Sequence, residues 1–296
     1  MADDRSDWKV VLQFFIVPLS LVTVLVTVFF GLQVLRSRHP DPRTTLNDLK
    51  GRRGFLLPWV GDPKRWQSGY DLSLLVRSGA PGSVGFLIPG MAAAFRDAGS
   101  AGDLKLRRYL ALALGRSGDA RAAAVLREGL KDADGEVRLF CAWGLMQIAD
   151  RDSLADLRAA AADTDPGVRK MAVFALGQMG DHDGASVLRT ALSDRDRDVR
   201  WNAAISLARI GDASGEPVLF EILDTGAPVP TRAEDAAGSD EAAPSLNAIR
   251  ALALLKDGAA RAALERTSES AGSAQIRSTA RVALESLDAE ARDALP

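Results

Sequence analysis

The sequence has little of the side-chain chemistry that most enzymes and metal proteins use. Its 296 residues include one cysteine, Cys141, and two histidines, His39 and His182. A single cysteine excludes a disulfide within the chain and a cluster of cysteine thiolates around a metal. The sequence also lacks a glycine-rich phosphate loop, an HExxH or GxSxG motif and an EF-hand loop. We therefore expect no catalytic residues, no cofactor and no metal site.

Charge and aromatic residues are also limited. The formal net charge is −2, which lacks the basic field typical of nucleic-acid binding, so no nucleic acid is expected as a partner. Aromatic residues make up only 6 % of the chain, whereas alanine, leucine and arginine are abundant. Because these three are strong helix formers, the composition predicts an all-α fold.

Charge is absent from one long segment. Residues 10–35 contain no Asp, Glu, Lys or Arg and are mostly apolar. About 20 such residues cross the hydrocarbon core of a bilayer, and Trp8, Lys9 and Arg36 at the edges are typical interface anchors. The run is longer than the apolar region of a cleaved signal peptide. We therefore predict a retained single-pass transmembrane helix at 10–35, preceded by a short tail at 1–9.

Positive charge is uneven on the two sides of this segment. Two basic residues precede it and six follow within 36–53, namely Arg36, Arg38, Arg43, Lys50, Arg52 and Arg53. By the positive-inside rule, the large C-terminal part should lie on the cytoplasmic side of the inner (cytoplasmic) membrane. The basic residues can also contact anionic headgroups.

Small residues recur on one side of the predicted membrane helix. Ser20, Thr23, Thr27 and Gly31 are spaced by three, four and four positions. Such a stripe lets a second helix approach closely, although these residue types are also common in membrane helices by chance.

A repeat of 31 residues dominates the remaining sequence. An aliphatic residue followed by Arg recurs four times, and two leucine columns, a Gly/Ala–Asp pair and a preceding Asp recur in the same register. The leucines are Leu114, Leu145, Leu176 and Leu207, then Leu126, Leu157, Leu188 and Leu219. The many columns in one register predict a stack of helix hairpins.

Local signals divide each repeat into two helices, A and B. Asp134, Asp165 and Asp196 stand where an N-cap belongs, and Pro166 suits the first helical position. Gly180 and Gly211 are suited to end helix A in a left-handed conformation. We expect the Asp after each of these positions to cap helix B.

The repeats suggest a division of the chain. We assign 36–63 to a basic linker with a short helix near 45–50, and 64–296 to the solenoid. Within it, 103–226 holds the clean repeats, 227–244 an acidic insertion loop rich in Pro and Ala, and 245–288 degenerate repeats. Residues 64–98 form an earlier, divergent pair of helices.

The unit D-x-x-V-R-x-x-A-x-x-A-L-x-x-x-G-D, seen at 165–181 and 196–212, resembles the short bacterial HEAT-like repeat, also called the phycobilisome-lyase-type HEAT repeat. The resemblance implies a right-handed α-solenoid. It also implies a structural ladder between repeats, involving Asp132, Asp163 and Asp194 with Arg138, Arg169 and Arg200. The motif is specific for the fold and says little about function.

Three candidate features remain in the repeats. His182 lies in a turn and Cys141 in the buried column of helix A, so we interpret them as an exposed turn residue and a core residue. Arg127, Arg158 and Arg189 recur on helix B, which generally lines the concave face of such solenoids. They form either a basic stripe for an acidic partner segment or a solvated row that pairs with local acids such as Glu128 or Asp156.

These features favour a binding protein and not an enzyme. The leading hypothesis is an interaction scaffold or accessory subunit at the inner membrane, which docks a protein or a membrane complex such as a transporter through the solenoid. One alternative is an enzyme or an assembly factor of the chromophore-lyase kind. Another is a structural subunit that contacts its complex through the transmembrane helix.

Overall fold

A computed structural model describes residues 42–49, 63–78, 85–225 and 243–293, and all regular structure in these ranges is helical. The helices are α1 Pro42–Leu49, α2 Pro63–Ser78, α3 Ile88–Ser100, α4 Leu104–Arg116, α5 Ala123–Gly129, α6 Gly135–Ile148, α7 Leu154–Ala160, α8 Pro166–Gln178, α9 Ala185–Ala191, α10 Arg197–Arg209, α11 Glu216–Thr225, α12 Ala243–Leu255, α13 Gly258–Ser270 and α14 Ala274–Asp293. Short 3-10 turns precede α3, α5, α7, α9 and α11, at Gly85–Leu87, Ala120–Ala122, Arg151–Ser153, His182–Gly184 and Ala213–Gly215.

The helices form a stack of hairpins. The first helices of successive hairpins, here called the A helices, are α4, α6, α8, α10 and α12, and α2 precedes them in the same row. Each A helix packs against its neighbours in this row, and the second helices α5, α7 and α9, the B helices, pack against the A helix of the next hairpin. The predicted helical repeat solenoid is therefore confirmed for the described residues.

The repeated apolar columns form the core. The eight leucines of the two columns have 0 % of their surface exposed, as do Leu106, Val137, Val168 and Val199. A fully buried aliphatic side chain contributes about 1.5–3 kcal/mol by leaving water. Since every repeat supplies the same columns, burial continues from one hairpin to the next.

The N-caps of the A helices lie where the sequence predicts. The carboxylate of Asp134 accepts a hydrogen bond from the amide of Val137, and Asp165 accepts from Gly167 and Val168. Asp196 and Asp103 cap α10 and α4 in the same way. Each cap satisfies first-turn amides that would otherwise have no partner.

A left-handed residue follows four of the A helices in the clean repeats. Gly118, Ala149, Gly180 and Gly211 have φ angles of 59°, 55°, 64° and 78°. After α12 the same position is held by Lys256, with φ 57°. A residue with a Cβ is strained in this region, so Ala149 and Lys256 are the costly members of the column.

Replacing Ala149 by glycine should therefore stabilise the fold. The left-handed conformation costs an L-residue about 1–2 kcal/mol, of which part is returned as the entropy that glycine loses on folding. We expect Ala149→Gly to raise the free energy of unfolding by about 0.5–1 kcal/mol, measured by urea denaturation. Gly180→Ala, in the next repeat, should lower it, and a stabilising Gly180→Ala would contradict this account.

Small residues allow neighbouring A helices to approach closely. A Cβ added to Gly115 would lie 2.6 Å from the Cα of Gly144, and one added to Gly177 would lie 2.7 Å from the Cα of Ser206. Both distances are shorter than real contacts allow, so the backbones of α4 and α6, and of α8 and α10, touch at these points. Ser206 is fully buried and donates a hydrogen bond to the carbonyl of Val173, 3.0 Å away.

The packed stack begins before the boundary expected from the sequence. Helix α1 lies inside the range assigned to the linker, yet Leu49 is buried and Leu46 packs against the same core. Gly90 of α3 permits this contact, because an added Cβ there would overlap the side chain of Leu46. A short helix was predicted near 45–50, but its packing against the core was not. A helix of 8 residues has too few positions for an apolar period to be recognised.

Several predictions concern residues beyond this description. Three predicted features lie outside the described residues. They are the membrane helix at 10–35, its stripe of Ser20, Thr23, Thr27 and Gly31, and the acidic loop at 227–244 except for its last two residues. In the part of the chain that is described, no helix has both the length and the apolar character needed to span a bilayer.

Candidate functional site: two ion-pair ladders and an aromatic face

One row of ion pairs, here called the first ladder, joins Arg107 to Asp132, Arg138 to Asp163 and Arg169 to Asp194. Arg138 donates from Nε and Nη2 to the two carboxylate oxygens of Asp163, at 2.8 and 2.7 Å. Its Nη1 donates to the backbone carbonyl of Asp132 at 2.8 Å. Arg138 and Arg169 therefore each hold the turn of their own repeat and the turn of the next, which confirms for these two the structural ladder implied by the family resemblance.

The first ladder is shielded from water. The side chains of Arg169 and Asp194 are 6 % and 13 % exposed. Hydrogen bonding from the Arg169 guanidinium lowers the pKa of the Asp194 carboxyl below its usual value. The ladder ends at Arg200, which holds the carbonyl of Asp194 but finds no carboxylate among the described residues, because Thr225 occupies the corresponding position.

A second ladder contains the three arginines that the sequence singled out. Arg127, Arg158 and Arg189 pair with Asp150, Asp181 and Asp212, at 3.6, 2.5 and 2.5 Å. Each carboxylate belongs to the turn of the next repeat and not to the nearby acids considered from sequence. Glu128 pairs with Arg96 instead. The three guanidinium groups are thus engaged within the solenoid, and their binding to a partner stays a prediction.

The second ladder changes the role of two aspartates. We expected the Asp after each A helix to cap the following helix B. Asp119 and Asp212 do accept backbone hydrogen bonds there, from Arg121 and Ser214. Asp150 and Asp181 make no such cap, so that expectation is wrong for these two. Their carboxylates face Arg127 and Arg158 instead.

The two remaining candidates lie where the sequence placed them. His182 is exposed in the 3-10 turn before α9. Cys141 is fully buried, and burial raises the pKa of its thiol far above the usual value. A thiol in this state is a poor nucleophile, so Cys141 acts as a core residue.

The outward side of the A helices carries a different kind of surface. Aromatic side chains cross five successive helices of the row, from α2 to α10, and we call them the aromatic face. They are Trp66, Tyr70, Tyr109, Phe140, Trp143, Phe174 and Trp201, of which Trp201 is buried in the core with only 5 % of its surface exposed. Met171 follows Phe140 by 31 residues, and Ile205 follows Phe174 by the same spacing. Most members of the face are half-buried.

Ring contacts fix the N-terminal part of this face. The rings of Trp66 and Tyr109 stack with centroids 6.1 Å apart, and Tyr70 meets Tyr109 edge-on at 5.4 Å. Trp143 lies over the backbone of Gly115, since a Cβ there would come within 3.1 Å of its ring. The rings are therefore held against neighbouring helices while part of their surface remains accessible to water.

Cations lie over several of these rings. Lys105 Nζ is 3.5 Å from the centroid of Trp66, Arg197 is 4.7 Å from that of Trp201, and Arg209 is 5.3 Å from that of Phe174. Such contacts are worth roughly 0.5–1 kcal/mol at exposed sites. Burial lowers the pKa of the Arg209 guanidinium from its usual value.

Comparison with known proteins identifies the fold family. A family model described as HEAT repeats matches residues 92–170 and 157–239, which together span half of the chain. The chain belongs to the HEAT-repeat family. A comparison with curated proteins gave no match.

Solved structures support the same fold for this HEAT solenoid. It is similar to an engineered protein with 21 % identity and a TM-score of 0.51, over 82 % of this chain and 68 % of the other. It is also similar to the complex of CpcE and CpcF of phycocyanin lyase from Nostoc sp. PCC7120, with 18 % identity and a TM-score of 0.51, over 84 % of this chain and 95 % of the other. At these identities the similarity shows the fold alone.

The aromatic face of the HEAT solenoid was not predicted from the sequence. Four of its residues occupy two columns at the 31-residue spacing, in which Tyr109 and Phe140, and then Trp143 and Phe174, follow one another. The other three, Trp66, Tyr70 and Trp201, lie outside these columns. The neighbouring members of these columns are Met171, Asn202, Leu112 and Ile205, so residue identity is not kept. The signal available in the sequence was that large aromatic residues occupy positions outside the repeated core columns. These aromatic residues are not repeated in every hairpin.

The two ladders should differ in their contribution to stability. Removing one partner of a shielded ion pair costs about 3–5 kcal/mol, whereas an exposed pair contributes about 0–1 kcal/mol. We expect Arg169→Gln to lower the free energy of unfolding by about 3 kcal/mol. Arg189→Gln, whose side chain is 54 % exposed, should change it by less than about 1 kcal/mol. Urea denaturation of both variants tests this, and equal effects would contradict it.

Stability should also fall in acid because the solenoid depends on ionised aspartates. Hydrogen bonds from Arg108 and Arg169 lower the pKa values of Asp134 and Asp194, and that from Arg121 lowers the pKa of Asp119 to about 2. Groups with a lowered folded pKa stabilise the fold above their usual pKa of about 3.9 and lose this contribution as pH falls through the lowered value.

We therefore expect the free energy of unfolding to decline between about pH 4 and pH 2, in denaturation curves recorded at successive pH values. Asp194→Asn should lower stability at pH 7 and flatten this decline. A decline of unchanged steepness in that variant would mean that other groups cause it.

Proposed function

We propose that this HEAT-repeat protein is a membrane-anchored interaction scaffold, whose solenoid binds a protein partner through the aromatic face. In this proposal the protein acts by binding and not by catalysis. The partner is a protein at the inner membrane, such as a subunit of a transporter or of another membrane complex.

The aromatic face is the observation that carries the proposal. Tryptophan and tyrosine are enriched at the centres of protein interfaces, where rigid rings bury much area with little loss of side-chain entropy. Tyr70 alone leaves 42 % of its surface exposed. By contrast, both ladders use their arginines within the solenoid. The aromatic face therefore offers ring surface that a partner can bury.

The row of A helices also suits the face to a binding role. Stacked repeats present a continuous surface whose shape is set by contacts between neighbours. Here the contacts are tight, as at Gly177 and Ser206. A partner would thus meet rings that are already in place, which reduces the entropy cost of association.

The membrane part of the proposal rests on the sequence of residues 10–35. An anchor in this segment would confine the solenoid to a surface and raise its effective concentration near membrane partners. The excess of Lys and Arg in 36–53 supports a cytoplasmic solenoid.

A pull-down from detergent-solubilised membranes of the native host tests the partner surface. We expect wild-type protein to recover a partner, and the double variant Trp143→Ala with Phe174→Ala to lose it. As a matched control, Leu254→Ala with Val282→Ala removes exposed apolar side chains outside the aromatic face and should keep the partner. Circular dichroism and the melting temperature show whether each variant is folded.

Two further variants separate the alternatives. If Arg127→Gln, Arg158→Gln and Arg189→Gln together abolish binding while the aromatic variant retains it, the partner binds the second ladder and not the aromatic face. If exchange of 10–35 for an unrelated apolar helix abolishes binding, the membrane helix is the main contact and the proposal for the solenoid fails.

A further inference from the structure

The aromatic face carries four cations that have no ion-pair partner among the described residues. They are Lys105, Arg116, Arg197 and Arg209. Three lie over aromatic rings, and Arg116 reaches only the carbonyl and hydroxyl of Ser73, each at 3.4 Å.

The carboxylates of this surface are mostly used already. Glu136 pairs with Arg108 at 2.6 Å, and Asp198 pairs with Lys170 at 3.4 Å. Asp71 of α2 has no ion pair within the described chain, and burial raises its pKa. The capping residues Asp103, Asp165 and Asp196 also have no ion pair among the described residues, but each accepts backbone hydrogen bonds at the start of its helix. The four cations therefore have no paired carboxylate, although acidic groups are present on the same helices.

The lack of ion-pair partners for these four cations differs from the pattern in the two ladders. In the ladders, arginines of the A and B helices form ion pairs with an aspartate of the following repeat. Arg209 forms no such pair, although it lies 5.3 Å from the ring centroid of Phe174 and burial lowers the pKa of its guanidinium. Arg116 and Arg197 are half-buried. A partly buried cation without a paired carboxylate is costly, so a carboxylate from another molecule would bind favourably beside them.

The cations lie on two helices of the face, on either side of α6 and α8. Lys105 and Arg116 are on α4, whereas Arg197 and Arg209 are on α10. Between them α6 and α8 present Phe140, Trp143 and Phe174. These two helices also carry the ion-paired Glu136 and Lys170 near their N-terminal ends and the uncharged Gln147 and Gln178 at their C-terminal ends. The surface is therefore cationic, then aromatic, then cationic along the row.

The distance between α4 and α10 limits the size of an occupant. Packed helices lie about 8–10 Å apart, so three spacings from α4 to α10 cover about 24–30 Å. An extended chain advances about 3.3 Å per residue. A segment of roughly 8–9 residues would reach from the cations of one helix to those of the other.

We propose that the aromatic face binds a protein segment of this length that carries carboxylates near both ends and apolar side chains between them. The apolar side chains bury the rings of α6 and α8, and the carboxylates pair with the cations of α4 and α10. This inference rests on the proposed function and adds the chemistry of the partner.

A protein segment fits this surface better than an anionic bilayer does. Glu136, Asp198 and Asp71 are interspersed among the cations and would repel phosphate headgroups across a flat contact. A peptide can place each carboxylate beside one cation and avoid the acids. The rings are also held against the helices and do not project as membrane anchors do.

Synthetic peptides test the partner chemistry on the full chain in detergent. The probe is an 11-residue peptide with two glutamates at each end and leucine, phenylalanine and glycine between them. Two matched peptides replace the glutamates by glutamine or by lysine. We expect the glutamate peptide to bind at least ten-fold more tightly than the glutamine peptide, measured by calorimetry, and the lysine peptide not to bind. Binding should weaken as salt rises.

Charge variants link the binding to the named cations. Arg197→Gln with Arg209→Gln should reduce affinity for the glutamate peptide at least ten-fold and leave affinity for the glutamine peptide unchanged. Arg189→Gln removes a cation of the second ladder and should have no effect. Equal affinity for the glutamate and glutamine peptides, or no effect of the first pair of changes, would overturn the proposal.

The bilayer alternative has its own readout. If brominated phosphatidylglycerol in nanodiscs quenches the fluorescence of Trp143, defined by subtraction of Trp143→Phe, the face lies on lipid and the peptide proposal is wrong.

The native partner separates the two levels of inference. If it is lost in the Trp143→Ala and Phe174→Ala variant but kept in the charge variant, the scaffold function stands and only the acidic chemistry fails.

Discussion

The ion pair between Arg169 and Asp194 joins two hairpins, neither of which buries enough apolar surface to fold alone. Arg169 also holds the carbonyls of its own turn, at Asp163 and Thr164, so one side chain fixes the end of one repeat and the start of the next. The same geometry recurs at Arg138. Because each contact points forward along the chain, the orientation of every hairpin is set by its predecessor.

This constraint explains why the repeated charges make a poor guide to function. A residue that recurs at every 31st position does so because each interface between hairpins needs it. Arg127, Arg158 and Arg189 recur for that reason, and their carboxylate partners recur with them. Surface that serves a partner is under no such periodic requirement. It is expected where neighbouring repeats differ, as Tyr109, Phe140, Met171 and Asn202 do.

The fold was largely predictable from sequence because its determinants are local and repeated. The caps at Asp134 and Asp165, the buried leucines and the left-handed residues each follow from spacing and residue type. The partners of the second ladder were not predictable in this way. Asp181 is 23 residues from Arg158 and reaches it only once the hairpins are stacked. For the same reason the sequence assigned Asp150 and Asp181 to caps that they do not form.

The aromatic face required the structure because its meaning depends on which positions of helix A remain accessible. A half-exposed Trp143 and a buried Trp201 look alike in sequence, and both fall on helical spacing that also fits a core. Once the A helices are stacked, their outward positions form one surface of rings and unpaired cations.

The ladders contribute to this surface indirectly, since the rigidity that they give the stack holds Arg197 and Arg209 over their rings. A protein that kept these cations unpaired only for stability would gain little, because a cation over an exposed ring is worth less than the shielded pairs found elsewhere in the same repeats. In the proposed binding mode, a ligand supplies the carboxylates that these cations lack within the described chain.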